Sequence, residues 1–230
     1  MNAMNGFRLV LLVGACATLG ACTSSSSGGA AGGAGGSGGG SGGGGTPAQA
    51  MAAFDAEMDK NTGVLTTTIN PTGKVNYTGK TKLNTINAKQ TGFNGFVIGD
   101  LAMQADFDRD TVSGTATNFK GEVDGQAFEL AGTLDTANVT DNSPNSVVTS
   151  APTTIAGHTI RTTVLTSTLD GNLKNSLNDE SSDVRLVLSG GVAYGPNAER
   201  IQGGATAIFG DKDKVGFGFG GAGEFYLDKK

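Results

Sequence analysis

The chain has 230 residues, a net charge of −5 and 39 glycines, with no Trp, three Tyr and a single His. No run of Lys or Arg interleaved with aromatics appears, which excludes the electrostatic footprint of a nucleic-acid binder. Both cysteines, Cys16 and Cys22, lie near the N-terminus, so the rest of the chain has no disulfide and no thiol nucleophile.

Residues 1–21 read as an export signal. One positive charge (Arg8) precedes an apolar stretch from Leu9 to Leu19, and small residues follow. That stretch falls short of the ~20 residues needed to span a bilayer as a stop-transfer helix. Its end, Leu19-Gly20-Ala21-Cys22, resembles the lipobox of bacterial lipoproteins, in which the Cys after the cut is lipidated. Val13-Gly14-Ala15-Cys16 fits the same pattern but leaves only half an apolar region, so Cys22 is the expected lipidation site. The polar run Thr23–Ser27 agrees with a lipoprotein start. The absence of Asp after Cys22, the residue that resembles an inner-membrane retention signal, points to the outer membrane.

From Ser24 to Gly45 the chain holds only Ser, Gly and Ala, a composition with nothing to bury. Residues 22–45 are therefore expected to form a tether with a mean reach of about 27 Å by random-coil scaling. About 185 of the 230 residues remain, enough to bury one substantial core.

Residues 46–62 predict a short amphipathic helix. Thr46 supplies an N-cap, Pro47 the first helical position and Gln49 the third residue after the cap, while Met51, Phe54 and Met58 share one face. A cap over one end of a barrel is its expected place. From residue 63 to 230 the period changes to two, as in Leu101/Met103/Ala105/Phe107, Phe128/Leu130/Gly132/Leu134 and Val184/Leu186/Leu188. Further predicted strands are Val75–Leu83, Val112–Phe119, Thr159–Leu169, Gly191–Tyr194, Gly204–Phe209, Val215–Phe219 and Gly223–Leu227. Turn residues separate them, among them Asp141-Asn142-Ser143-Pro144 and Asp211-Lys212-Asp213-Lys214. The fold expected is all-β, a small antiparallel up-and-down barrel of about eight strands preceded by a short N-terminal helix. Its core is expected to include Leu130, Leu134, Leu186 and Leu188. Residues 139–157 and 170–183 read as two long polar loops, and loops commonly carry binding.

Tyr194-Gly195-Pro196-Asn197-Ala198-Glu199, with Ile201, Gly203-Gly204 and Ile208-Phe209-Gly210 after it, resembles the closing strands of the transferrin-binding protein B-like barrel. That barrel is shared with factor H-binding protein and the haem-scavenging hemophilins. Leu101–Phe107 followed by Thr111–Phe119 resembles the central hairpin of the same family. The likeness covers about residues 95–230, as one barrel instead of two barrel-and-handle lobes. It implies surface display of a binding barrel, with a surface lipoprotein assembly modulator as the translocating partner.

Motifs for chemistry are few. Gly218–Gly223 matches G-x-G-x-x-G, yet only seven residues follow and they read as a strand, not a helix. Asp106, Asp108 and Asp110 alternate as in a calcium loop, but Thr111 and Thr117 occupy the positions that need Gly and Glu, so solvated acids at a hairpin turn are expected. A lone His cannot assemble a zinc site, and there is no G-x-S-x-G elbow. No enzyme, resident cofactor or metal site is expected. His158 is a weak haem candidate, since haem iron takes His or Tyr ligands. The leading function is an outer-membrane, cell-surface lipoprotein whose barrel binds a protein or another host or environmental macromolecule, with Tyr194 and His158 as candidate contacts. The alternatives are a carrier for haem or a small nutrient, and a structural envelope lipoprotein.

Overall fold

A computed structural model describes residues 46–60, 71–87, 95–141, 146–155, 158–195, 197–210 and 219–230. The predicted strand 215–219 falls outside them except for Phe219, and so do Cys22 and the tether. The elements in order are a helix α1 (Pro47–Asp59), β1 (Lys74–Asn87), β2 (Gly95–Asp106), β3 (Thr111–Val123), β4 (Gln126–Asp135), a 3-10 turn (Thr136–Asn138), β5 (Val147–Ile155), β6 (His158–Asn175), β7 (Ser181–Tyr194), β8 (Arg200–Phe209) and β9 (Phe219–Lys229). Neighbours run β2-β1-β9-β8-β7-β6-β4-β3, and β3 pairs back onto β2, so eight antiparallel strands close on themselves and β5 is the ninth, extra strand. The predicted all-β barrel with a short preceding helix is the observed fold. Closure removes the exposed edges an open sheet of this size would carry.

Alternation dictates the interior. Leu83, Val97, Leu101, Leu130, Leu134, Leu165, Leu169, Leu186, Leu188, Ile201, Phe225 and Leu227 are all buried and fill the barrel. The N-terminal and C-terminal strands meet at the β1–β9 seam, where glycine is required. A Cβ on Gly79 would sit 1.8 Å from the Tyr226 carbonyl oxygen, and one on Gly223 would sit 1.9 Å from that of Lys82. Gly223, the last glycine of the G-x-G-x-x-G match, thus serves close strand approach in β9.

The capping box of α1 forms as expected: Thr46 Oγ1 accepts from the Gln49 amide, and Gln49 Oε1 accepts from the Thr46 amide at 2.9 Å. Its position corrects the expectation of an end cap, because α1 lies against the outer wall. Phe96, Ile98 and Tyr226 point outward, alternating with inward Val97, Phe225 and Leu227, and they cover Phe54 completely. Phe54 meets the Tyr226 ring at 5.4 Å between centroids, with the Lys82 ammonium 5.1 Å above its face. Lys82 also pairs with Asp55. Arg200 reaches Asp228 at 3.0 Å and Glu57 at 3.6 Å, with its guanidinium over Tyr226. Lys60, hydrogen-bonded to Glu57, and then Arg200 hold the Glu57 carboxyl below its ordinary range. Apolar positions at 51, 54 and 58 require a greasy partner but cannot say whether it is the inside or the outside of a barrel.

Both expected long loops are corrected. Residues 147–155 form β5, and β6 runs on to Asn175, leaving a turn of only 176–180 before β7. Along β6, Asp170, Asn172 and Lys174 face outward while Gly171 and Leu173 face inward, so polar residues outnumber apolar ones and disguise a strand. The stretches 184–188 and 191–194 are one strand with a bulge after Ser189.

Candidate functional site

The unusual feature is how β5 and β6 leave the barrel. One edge of β6 pairs with β4 from Leu130↔Asn175 to Asp135↔Asp170, then with β5 from Val147↔Thr166 to Ile155↔His158. β4 and β5 therefore lie end to end along that edge, and residues 136–141 leave the sheet after β4. The Asp135 carboxylate caps the 3-10 turn by accepting from the Ala137 amide at 2.8 Å. Ser146 Oγ bridges the gap in the ladder, accepting from the Thr168 amide at 3.1 Å and lying 3.0 Å from Ser167 Oγ. Asn138 Nδ2 donates to the Asp170 carbonyl at 3.1 Å.

A charged clamp fixes this excursion to the wall. Arg185 on β7 donates through Nε and Nη2 to both oxygens of Asp170, at 2.8 and 2.6 Å, and Nη2 lies 2.8 Å from Asp141. Hydrogen bonds to Asp170 raise the guanidinium pKa further above its high ordinary value, against the burial that would lower it, and Asp141 adds to the rise. A groove of about 350 Å³ runs beside the clamp, lined in part by Asn138, Asp183 and Ile208.

On its other edge β6 meets β7 only from Val164↔Val192 onward. Residues 147–155 and 158–163 therefore form a two-stranded ribbon, joined to β3 at Thr111↔Val147, whose near part is buried at Val148 and Thr163 and whose far part runs past the last residue of β7. His158 is the first residue of β6, at the far part of this ribbon, and Tyr194 is the last residue of β7, half-buried at the rim. Continuing the β6–β7 register would place Tyr194 opposite Thr162, four residues from His158, or about 13 Å along the strand. The two candidates share one end of the molecule but are not brought together.

The Tyr194–Glu199 turn, apart from Pro196, which lies outside the described residues, does structural work. Ala198 is fully buried at φ 53°, and its carbonyl accepts from the Tyr77 hydroxyl at 2.8 Å. Burial pushes the Tyr77 phenol pKa up. At the β2–β3 turn, Asp106 accepts from the Asp108 amide at 3.2 Å, and Asp108 accepts from the Gly73 amide at 2.9 Å; the acids flank the hairpin turn as expected, but Asp106 is buried there and not solvated.

The opposite mouth of the barrel holds a cleft of about 390 Å³ with an apolar floor (Phe128, Leu130, Leu173) and a polar rim (Asn175, Glu180, Ser182). Leu173 lies fifteen positions along β6 from His158, so His158 is remote from this cleft. Among the described residues, no group of three or more His, Cys, Asp and Glu could hold a metal ion. The Arg185–Asp170 clamp and the β5–β6 ribbon escaped the sequence reading because both depend on strand register; 28 residues without an acid, 142–169, were the one signal for the ribbon. No model of a known protein family matches the chain, and no curated protein does.

Proposed function

We propose that this chain is a non-catalytic binding lipoprotein, anchored through Cys22 at the outer membrane, whose barrel presents the β5–β6 ribbon to a protein partner. The observation that carries the reading is that the barrel interior is packed with its own side chains while one ribbon projects beyond the rim. A filled interior cannot accept a macromolecule, whereas a projecting ribbon offers backbone and side chains to one. The expected tether of residues 22–45 would give that ribbon reach, and a surface lipoprotein assembly modulator remains the translocator implied by the family resemblance.

Two measurements test this. Radiolabelled fatty acid should enter the wild type and Cys16→Ala but not Cys22→Ala; label retained in Cys22→Ala removes the proposed anchor. A photocrosslinker at exposed Thr149 should give a discrete protein adduct on intact cells, and one at exposed Thr206 on the barrel wall should not. Equal or absent adducts at the two positions count against a protein-binding ribbon.

The cleft at the other mouth favours a second reading, a carrier of a small apolar nutrient, since its volume lies at the lower end of the range for small-molecule sites, about 300–1,000 Å³. Haem as that nutrient would give a shifted visible absorbance band on mixing with hemin, and Leu173→Trp in the cleft would abolish it.

A further inference from the structure

We propose that the outer edge of β6, residues 158–161, takes up an extended acidic segment of the partner protein as an added strand. This rests on the reading of the ribbon as the protein-binding element.

The two edges of the ribbon differ. The Val148 amide points away from β6, donating to the Asp110 carbonyl at 3.3 Å. Backbone direction alternates with every residue, so position 152 faces the same outer edge of β5, and Pro152 has no N–H to offer there. Proline on an edge strand obstructs pairing by another chain. Residues opposite these positions across the ladder point to the other edge: Val148 faces Leu165, Ser150 faces Thr163, Pro152 faces Arg161 and Thr154 faces Thr159. Leu165 spends its outward groups beside Gly191 of β7. The backbones of Thr159, Arg161 and Thr163 point the same way with no proline among them; Thr163 lies beside Ala193 at the end of β7, which leaves Thr159 and Arg161 with no described strand beside them. Residues 158–161 at ~3.3 Å each give an open edge about 13 Å long.

Composition and charge define the occupant. The ribbon is rich in Thr, Val and Ile, which suit extended pairing, and a two-stranded ribbon gains most from a third strand. From Asn142 to Leu169 there is no Asp or Glu, and Arg161 is the one permanent charge, in a chain whose net charge is −5. A second copy paired through this edge would set two Arg161 residues near one another and bring two acidic barrels together. An acidic strand brings the sign opposite to the one permanent charge of this segment. Main-chain hydrogen bonds would then supply affinity and the charge would supply selectivity.

The test uses the full chain and two blocked octapeptides, one alternating Glu with Val and one alternating Lys with Val. The acidic peptide should slow amide exchange at Thr159 and Arg161, and the basic one should not. Thr159→Pro removes one outward donor without touching the β5 ladder and should weaken acidic-peptide binding about tenfold, the effect of ~1.4 kcal/mol. Should the ribbon of that variant unfold, Arg161→Glu provides the second probe, and it should reverse the preference between the peptides. Protection of these amides by self-association in the absence of peptide would overturn the proposal in favour of a second copy. Equal binding of both peptides, or no effect of either substitution, would also overturn it. If the Thr149 adduct nevertheless forms on cells, the protein-binding reading stands and only the added strand fails.

Discussion

The barrel and the ribbon are built from the same kind of strand, yet the chain commits one and leaves the other open. Every barrel strand is bonded to a neighbour on both sides and turns one face into a packed interior. The ribbon has its two strands and a junction with β3 at Thr111↔Val147, and its inventory of Thr, Ser, Ala and Pro brings little apolar area to bury. Stability should therefore be concentrated in the barrel and recognition in the ribbon, since low local stability lets an element adapt to a partner.

Breaking the barrel at its seam should give the largest effect. Gly223→Val would drive a side chain into the Lys82 carbonyl and should cost about 3 kcal/mol or more, read as a fall in the denaturant midpoint. Leu186→Ala, at a fully buried interior position, should cost about 2–5 kcal/mol in the same assay. Arg185→Ala strands the nearly buried Asp170 carboxylate and should cost about 3 kcal/mol, with faster proteolysis of residues 136–141 once Asp141 loses its anchor. By contrast, Thr149→Ala on the exposed ribbon should change stability by less than about 0.5 kcal/mol. A ribbon substitution as costly as Leu186→Ala would erase the contrast.

Alkali separates the outer wall from the rest by a smaller margin. Burial, and then the neighbouring Glu57 and Asp228 charges, push the Tyr226 phenol up to about 12. An unfolded tyrosine ionises near 10, so the folded chain keeps a proton that the unfolded chain releases. The stability this contributes is complete below pH ~10 and is lost as pH rises toward ~12. Tyr226→Phe should flatten that decline in thermal melts recorded across the interval, and an unchanged slope would show that the ring is solvated.

Legibility in the sequence followed the range of the physics. The Thr46–Gln49 capping box and the Leu101–Phe107 alternation are local and could be read directly. Strand β5 was missed because Val147–Ile155 contains Pro152 and lacks apolar alternation, having no packed face to satisfy along most of its length. The far half of β6 was missed because Gly171 faces the interior without a side chain to show it. Arg185 and Asp170 lie 15 residues apart and meet only through the β6–β7 register. The place of α1 against Phe96, Ile98 and Tyr226 depended on which face of three strands was already full.

The difference between scaffold and ribbon is tested most directly by hydrogen exchange resolved to single amides on the chain without any partner. Barrel amides such as those of Leu186, Ala207 and Leu227 should exchange only through global unfolding, while the outward amides of Thr159 and Arg161 should exchange at nearly intrinsic rates. Protection of Thr159 and Arg161 equal to that of the barrel would contradict that difference, because their edge would then already be occupied.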